Sequence, residues 1–190
     1  MSLLARCMLV MLSACAWPAQ GAVDMHEQTE RYAIEGSTPA ELRHELSLKR
    51  PRSADGRHFD GHTHWHVRWR YRYLKSGSRC AIASVNTSLK VTITLPEWRN
   101  EHEANSSTRR LWSRYLAALE LHEQGHRRHG VHAANEIDRS IAAMPTAVNC
   151  DTLGVDVNAL GGNILRKYNQ HDVDYDRDTK HGATQGARFP

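Results

Sequence analysis

Apolar and polar positions alternate most regularly over "HTHWHVRWRYRY", residues 62–73. Thr63, Trp65, Val67, Trp69, Tyr71 and Tyr73 share one side, and His62, His64, His66, Arg68, Arg70 and Arg72 the other. A period of two is that of a half-buried strand. Three alternating histidines raise the idea of a metal, but nothing acidic lies among them, and the face reads as solvated and basic. "CAIASVNTSLKVTITLPEW" predicts a second strand from about Ala81 to Leu95, broken near Asn86 and stopped by Pro96. The short connection "LKSGSR" implies that the two strands are antiparallel. "ERYAIE", residues 30–35, predicts a further short strand.

The pattern changes to helical spacing in three places. "GSTPAELRHEL" opens a helix with Ser37 or Thr38 as cap, Pro39 in the first turn and Glu41 completing a capping box; it should end before Pro51. A long helix follows the cap candidates Asn105 to Thr108. Its apolar stripe runs through Leu111, Tyr115, Leu119, Ala133, Ile137 and Ile141, and Pro145 ends it after Met144. "LGVDVNALGGNILRKYNQ" suggests one more helix. The tail "HDVDYDRDTKHGATQGARFP" has no apolar period, although it is full of potential ligands, and by pattern alone it reads as a frayed terminus.

Composition narrows the class. The chain has 190 residues, 40% of them hydrophobic and 24% charged, with net charge +4, which suits one domain with a real core. The arginines are dispersed, so nothing points to nucleic acid. "MSLLARCMLVMLSACAWPAQGA" reads as a secretion signal over residues 1–21: Arg6 is the basic start, an apolar run follows, and Ala19 and Gly21 are the small residues of a cleavage site. Leu12-Ser13-Ala14-Cys15 offers an alternative, a lipoprotein signal ending before Cys15, and only lipidation there would attach the protein to a membrane. Residues 22–190 then form a single domain, exported to the periplasm or secreted. Cys80 and Cys150 remain, an even number that suggests a disulfide in an oxidising compartment; joint metal binding is the alternative, without C-x-x-C spacing to support it.

The chemistry concentrates in "LELHEQGHRRHG", residues 119–130. His122-Glu123-Gln124-Gly125-His126 fits H-E-x-x-H. Two histidines one helical turn apart can reach one ion, and zinc suits imidazole. Glu123 is rotated by about 100° from His122, so it misses the metal but can reach a metal-bound water. Both histidines fall on the stripe of Leu111, Tyr115, Leu119 and Ala133, where an unpaired imidazole would be costly. Gly125 in mid-helix costs about 1 kcal/mol relative to Ala, which suggests close approach of another segment.

These residues also carry a resemblance. "LELHEQGHRRHGVHAANEI", the segment from Cys80 into "TLPEW", and the ending "YDRDTKHGATQGARFP" with its T-x-H-G-x-x-Q-G pattern are similar to a bacterial family of exported proteins described as predicted secreted zinc-dependent proteases. The similarity covers most of residues 30–190. It implies an α+β fold in which an antiparallel sheet packs against a long zincin-like active-site helix. It also implies a Zn2+ cofactor and a peptide or protein substrate. His181, in the terminal pattern, is the expected third ligand. His132 is the second choice, by similarity to a run in which a glycine brings round a third histidine; Glu136, Asp138, Asp174 and Asp176 follow, and His129 lies on the ligand face two turns away. Glu123 is the expected general base and Tyr175 a candidate donor to the oxyanion. Two other functions fit the same residues: a non-catalytic zinc-containing binding protein of the export compartment, and a zinc amidase acting on cell-wall peptides.

Overall fold

The computed structural model describes residues 23–52, 56 and 58–190; the expected signal and the Cys15 lipidation site lie outside them. The elements in chain order are β1 (Asp24–Ile34), α1 (Pro39–Lys49), β2 (His62–Ser76), β3 (Arg79–Trp98), α2 (Ser106–Ala142) and α3 (Cys150–Thr179), with short 3-10 turns at Glu101–Glu103 and Ala183–Gln185. This is an α+β fold. No helix among the described residues is long and apolar enough to cross a membrane.

The sheet has the order β1-β3-β2. β2 and β3 form an antiparallel hairpin with Ser76 opposite Arg79, and Gly77 takes the positive φ of 60° that the tight turn needs. β1 lies parallel to β3, so the sheet is mixed rather than wholly antiparallel. The reason is topological: β1 ends opposite Trp98 and β2 begins opposite Thr94, at the same end of the sheet, so the chain reverses into β2 and again into β3, which therefore runs with β1. β3 also exceeds its expected bounds. Asn86 does not break it but pairs with Arg70; the irregularity falls at Ala83, skipped between the pairs Ser84–Arg72 and Ile82–Tyr73. Pro96 does not stop it either. β2 pairs no further than Thr94, so Pro96 sits where β3 has only β1 beside it.

The alternation in β2 has the expected outcome: Val67 is buried and Trp65, Trp69 and Tyr71 are half-buried, while His64, His66, Arg68, Arg70 and Arg72 are exposed. Leu89, Val91, Ile93 and Leu95 of β3 join this inner face, and α2 and α3 lie across it. Gly130 of α2 and Gly161 of α3 leave the space that Trp65 and Trp69 occupy. α1 has the expected capping box, with Thr38 as N-cap and Glu41 returning to its backbone, and buries Leu42 and Leu46. Asn105 caps α2 and Asn149 caps α3.

α2 and α3 form an antiparallel hairpin. At its closed end Cys80 and Cys150 are joined in a disulfide, and Cys80 exchanges backbone hydrogen bonds with Ala147. At its open end the chain leaves α3 and folds back. Lys180 and His181 both have positive φ, 52° and 51°, and Gly182 follows at 79°. Two consecutive non-glycine residues in this region are strained, and such strain is held only where surrounding contacts fix it. Phe189 provides one such contact, buried against Trp112 and Tyr115. The tail is therefore packed, not frayed.

Candidate metal centre

His122 and His126 lie one turn apart on the buried face of α2, with their Nε2 atoms 3.3 Å from each other. Asp176 of α3 faces both, and its Oδ1 is 3.2 Å from each Nε2. The side chain that joins the two imidazoles is thus Asp176. His181, expected in that place, stands beside the trio with Nδ1 3.3 Å from the same Oδ1 and its ring 5.0 Å from that of Phe59.

The outer nitrogens are fixed. His126 Nδ1 is 2.8 Å from Asp172 Oδ1, which also takes His129 Nδ1 at 2.6 Å, while Asp172 Oδ2 accepts from Trp65 Nε1 at 2.7 Å. A carboxylate only accepts, so both imidazoles donate from Nδ1, and the other ring nitrogen of His126, Nε2, faces inward. His122 Nδ1 is 3.0 Å from Gln185 Oε1, and the amide is oriented by its own donation to Tyr175 Oη at 2.9 Å. The His122 ring stacks on Tyr175 at 4.9 Å between centroids. A Cβ on Gly125 would collide with the Tyr175 ring, so the glycine in the motif is the close approach its position suggested. Gly182 serves the other side, where a Cβ would come within 2.9 Å of His122.

Glu123 is buried and makes no ion pair among the described residues; Thr63 Oγ1 donates to its Oε2 at 2.7 Å. With His122, His126, Asp172, Asp176 and His181 it lines one cleft of about 480 Å³. Burial raises the pKa of Glu123, against the opposing effects of Thr63 and the two imidazoles. Burial also works against a charged His126, yet the hydrogen bonds and charges of Asp172 and Asp176 push its pKa up to about 10. Asp176 goes the other way: burial would raise it, and the two imidazoles hold it well below the carboxylate range. Three acceptor atoms that meet this closely need a positive charge among them, either a proton or a metal ion.

Other expected ligands lie elsewhere. His132 is exposed and stacks on Tyr168; on an unbroken helix it points away from the site. Glu136 is held by Lys167 and Tyr168, Asp174 by Arg177, and Asp138 is buried further along α2. His129 reaches Asp172, and with it and His126 forms a second group whose ligand atoms lie within 4.8 Å of one another. The Tyr175 hydroxyl is tied to Gln185, its ring stacks on that of His122, and Tyr175 is not among the described residues lining the cleft.

Sequence reasoning missed Asp172, Thr63 and Gln185. A signal for Asp172 existed: Asp172 and Asp176 are four apart, the spacing of His122 and His126, so two antiparallel helices each present one such pair. Gln185 stood in the terminal pattern. There Thr179, His181, Gly182 and Gln185 now have separate tasks: Thr179 Oγ1 accepts from Gly182 N at 3.2 Å and closes the turn, and Gln185 holds His122.

An α+β domain with a histidine and carboxylate cluster between two long helices is the class that fold and site define. Residues 29–182 match the family described as "Bacterial protein of unknown function (DUF922)", and the chain belongs to it. No curated protein and no solved structure matches the chain.

Proposed function

We propose that this is a zinc-dependent peptidase acting outside the cytoplasm. The observation that supports it most is the convergence of His122 Nε2, His126 Nε2 and Asp176 Oδ1, mutually 3.2–3.3 Å apart, with their other atoms turned outward. Donors held about 2.0–2.1 Å from one tetrahedral centre stand about 3.3 Å from each other, so the spacing suits Zn2+, and two imidazoles with one carboxylate suit its chemistry. The three side chains would hold the ion, which when bound would supply a water of pKa lowered toward about 7 and a Lewis acid for a carbonyl. Glu123, in the same cleft and with no ion pair among the described residues, would take the proton of the attacking water and return it to the leaving amine. Thr63 keeps the Glu123 carboxylate turned toward the cleft. Asp172 and Gln185 hold the two imidazoles in the ligating tautomer. β2 enters the cleft wall at His62, Thr63 and His64, and as an outer strand of the sheet among the described residues it suits main-chain pairing with an extended peptide. Export agrees with the Cys80–Cys150 disulfide, a bond that persists in oxidising compartments.

One observation favours a second reading. His181 Nδ1 lies 3.3 Å from Asp176 Oδ1, close enough for a fourth protein ligand and a closed, structural site. Metal analysis with X-ray absorption separates the two. The peptidase reading expects about one zinc, three protein ligands and one water oxygen. Glu123→Gln should keep the zinc while hydrolysis of a peptide mixture, followed by mass spectrometry, falls by at least about 100-fold. Four protein ligands, or hydrolysis unaffected by Glu123→Gln, would overturn it.

A further inference from the structure

The carboxylates lining the cleft are all committed. Glu123 holds Thr63, Asp172 holds three donors, and Asp176 faces the imidazoles. Asp60 is taken by Arg43, whose two Nη atoms lie 2.8 and 2.9 Å from its oxygens, and by Tyr115 Oη at 2.8 Å. Arg50, at the end of α1, lines the same cleft and is held more loosely, in a long ion pair with Asp60. Its Nη1 is 3.9 Å from Asp60 Oδ1, outside hydrogen-bond reach. Its buried Nε has no partner among the described residues. That Nε is closed to solvent, while the side chain as a whole is 35% accessible, so a ligand would meet the guanidinium at its Nη atoms. Here a guanidinium is held at the wall of a cleft while the adjacent carboxylate is satisfied by a different arginine.

We propose that Arg50 is a specificity-determining residue that binds a carboxylate of the substrate, either a peptide's free C-terminus or an acidic side chain. The planar guanidinium fork matches a carboxylate in two parallel hydrogen bonds, and partial burial makes the pair stronger than at an open surface. With its described acids committed, the cleft offers an incoming anion the Arg50 guanidinium. The inference deepens the peptidase reading by naming a substrate class, and it rests on that reading for the peptide itself.

The test uses zinc-loaded Glu123→Gln protein, which binds without turnover, and one fluorescent alanine-based hexapeptide in four forms: with or without a glutamate, each as free acid or C-terminal amide. We expect the carboxylate-bearing forms to bind about tenfold more tightly than the neutral amide. The free acid leads if the terminus is recognised, and the glutamate amide leads if the side chain is. Adding Arg50→Gln should abolish the preference and leave binding of the neutral peptide unchanged. Arg50→Lys, which keeps the charge without the fork, should retain part of the preference and serves if the glutamine variant does not fold. Equal binding of all four forms, or a preference that survives Arg50→Gln, overturns the proposal. Cleavage by the unsubstituted protein is measured separately. Arg50-dependent binding without cleavage would overturn the peptidase reading alone, and cleavage without that dependence would overturn the Arg50 subsite alone.

Discussion

The two ends of the α2–α3 hairpin are built from the same helical spacing and held by different chemistry. At the closed end, Ile137, Ile141, Leu153 and Val157 are buried against each other and the sheet, and a disulfide ties α3 to β3. At the open end the same stripe continues through His122 and His126 on α2 and through Tyr168, Asp172, Tyr175 and Thr179 on α3. There His122, His126, Asp172 and Asp176 meet between the helices, and hydrogen bonds order them. The apolar end tolerates modest change because packing is non-directional; the polar end depends on each partner, since a buried polar group left alone is costly. Stability and chemistry are thus separated along one pair of helices.

The largest expected effect falls on the closed end. Replacing Cys80 and Cys150 by serine removes a cross-link between residues 70 apart and should lower unfolding stability by roughly 4 kcal/mol on chain-entropy grounds. Urea titration measures it. Zinc affinity of the folded fraction should stay within about threefold; a collapse of affinity would show that the two ends are not separate.

Asp172→Asn tests the open end in the opposite sense. It weakens the partner of His126, His129 and Trp65 and should cost about 10–100-fold in zinc affinity, read by chelator competition. Unchanged affinity would remove Asp172 from the support of the site.

Two glycines sharpen the contrast. Gly125→Ala drives a methyl into Tyr175 and should destabilise by about 1–3 kcal/mol while displacing His122. Gly162→Ala meets only the tip of Arg166 and should stabilise α3 by about 0.5–1 kcal/mol. Thermal melts of both variants decide the matter, and equal shifts would deny the close approach at Gly125.

The smallest effect is one of pH. Burial works to raise the pKa of Asp60, but Arg43 and Tyr115 outweigh it and hold the carboxyl below its ordinary value of 3.8. A depressed folded pKa means stability that is complete above about pH 4 and is lost as pH falls through the lower folded value. Urea midpoints between pH 6 and pH 2 should fall less steeply in Asp60→Asn than in the unsubstituted chain. Parallel slopes would show that Asp60 does not contribute.

Much of this was legible in the sequence where period and chemistry coincide. The capping box at Thr38, the alternation from Thr63 to Tyr73, the stripe of α2 and the H-E-x-x-H turn all follow from local rules. α3 shows the reverse. After Ile164 its inward positions are Tyr168, Asp172, Tyr175 and Thr179, so the apolar period disappears where the helix becomes part of the site. The residues that build the centre concealed the helix that carries it. For the same reason His181 was expected where Asp176 lies: without a helix through residue 176, nothing in the spacing brought its carboxylate opposite His122.

The sequence by itself determined which segments coil or extend, and that two imidazoles and a carboxylate share one turn of α2, because these depend on contacts within a few residues. Only the tertiary structure decided that β1 joins the sheet in parallel, that α3 lies antiparallel to α2, and that Asp176, Asp172 and Gln185 meet the histidines. Those contacts join residues some 50 or 60 positions apart, and helical or strand periodicity carries no information over that distance.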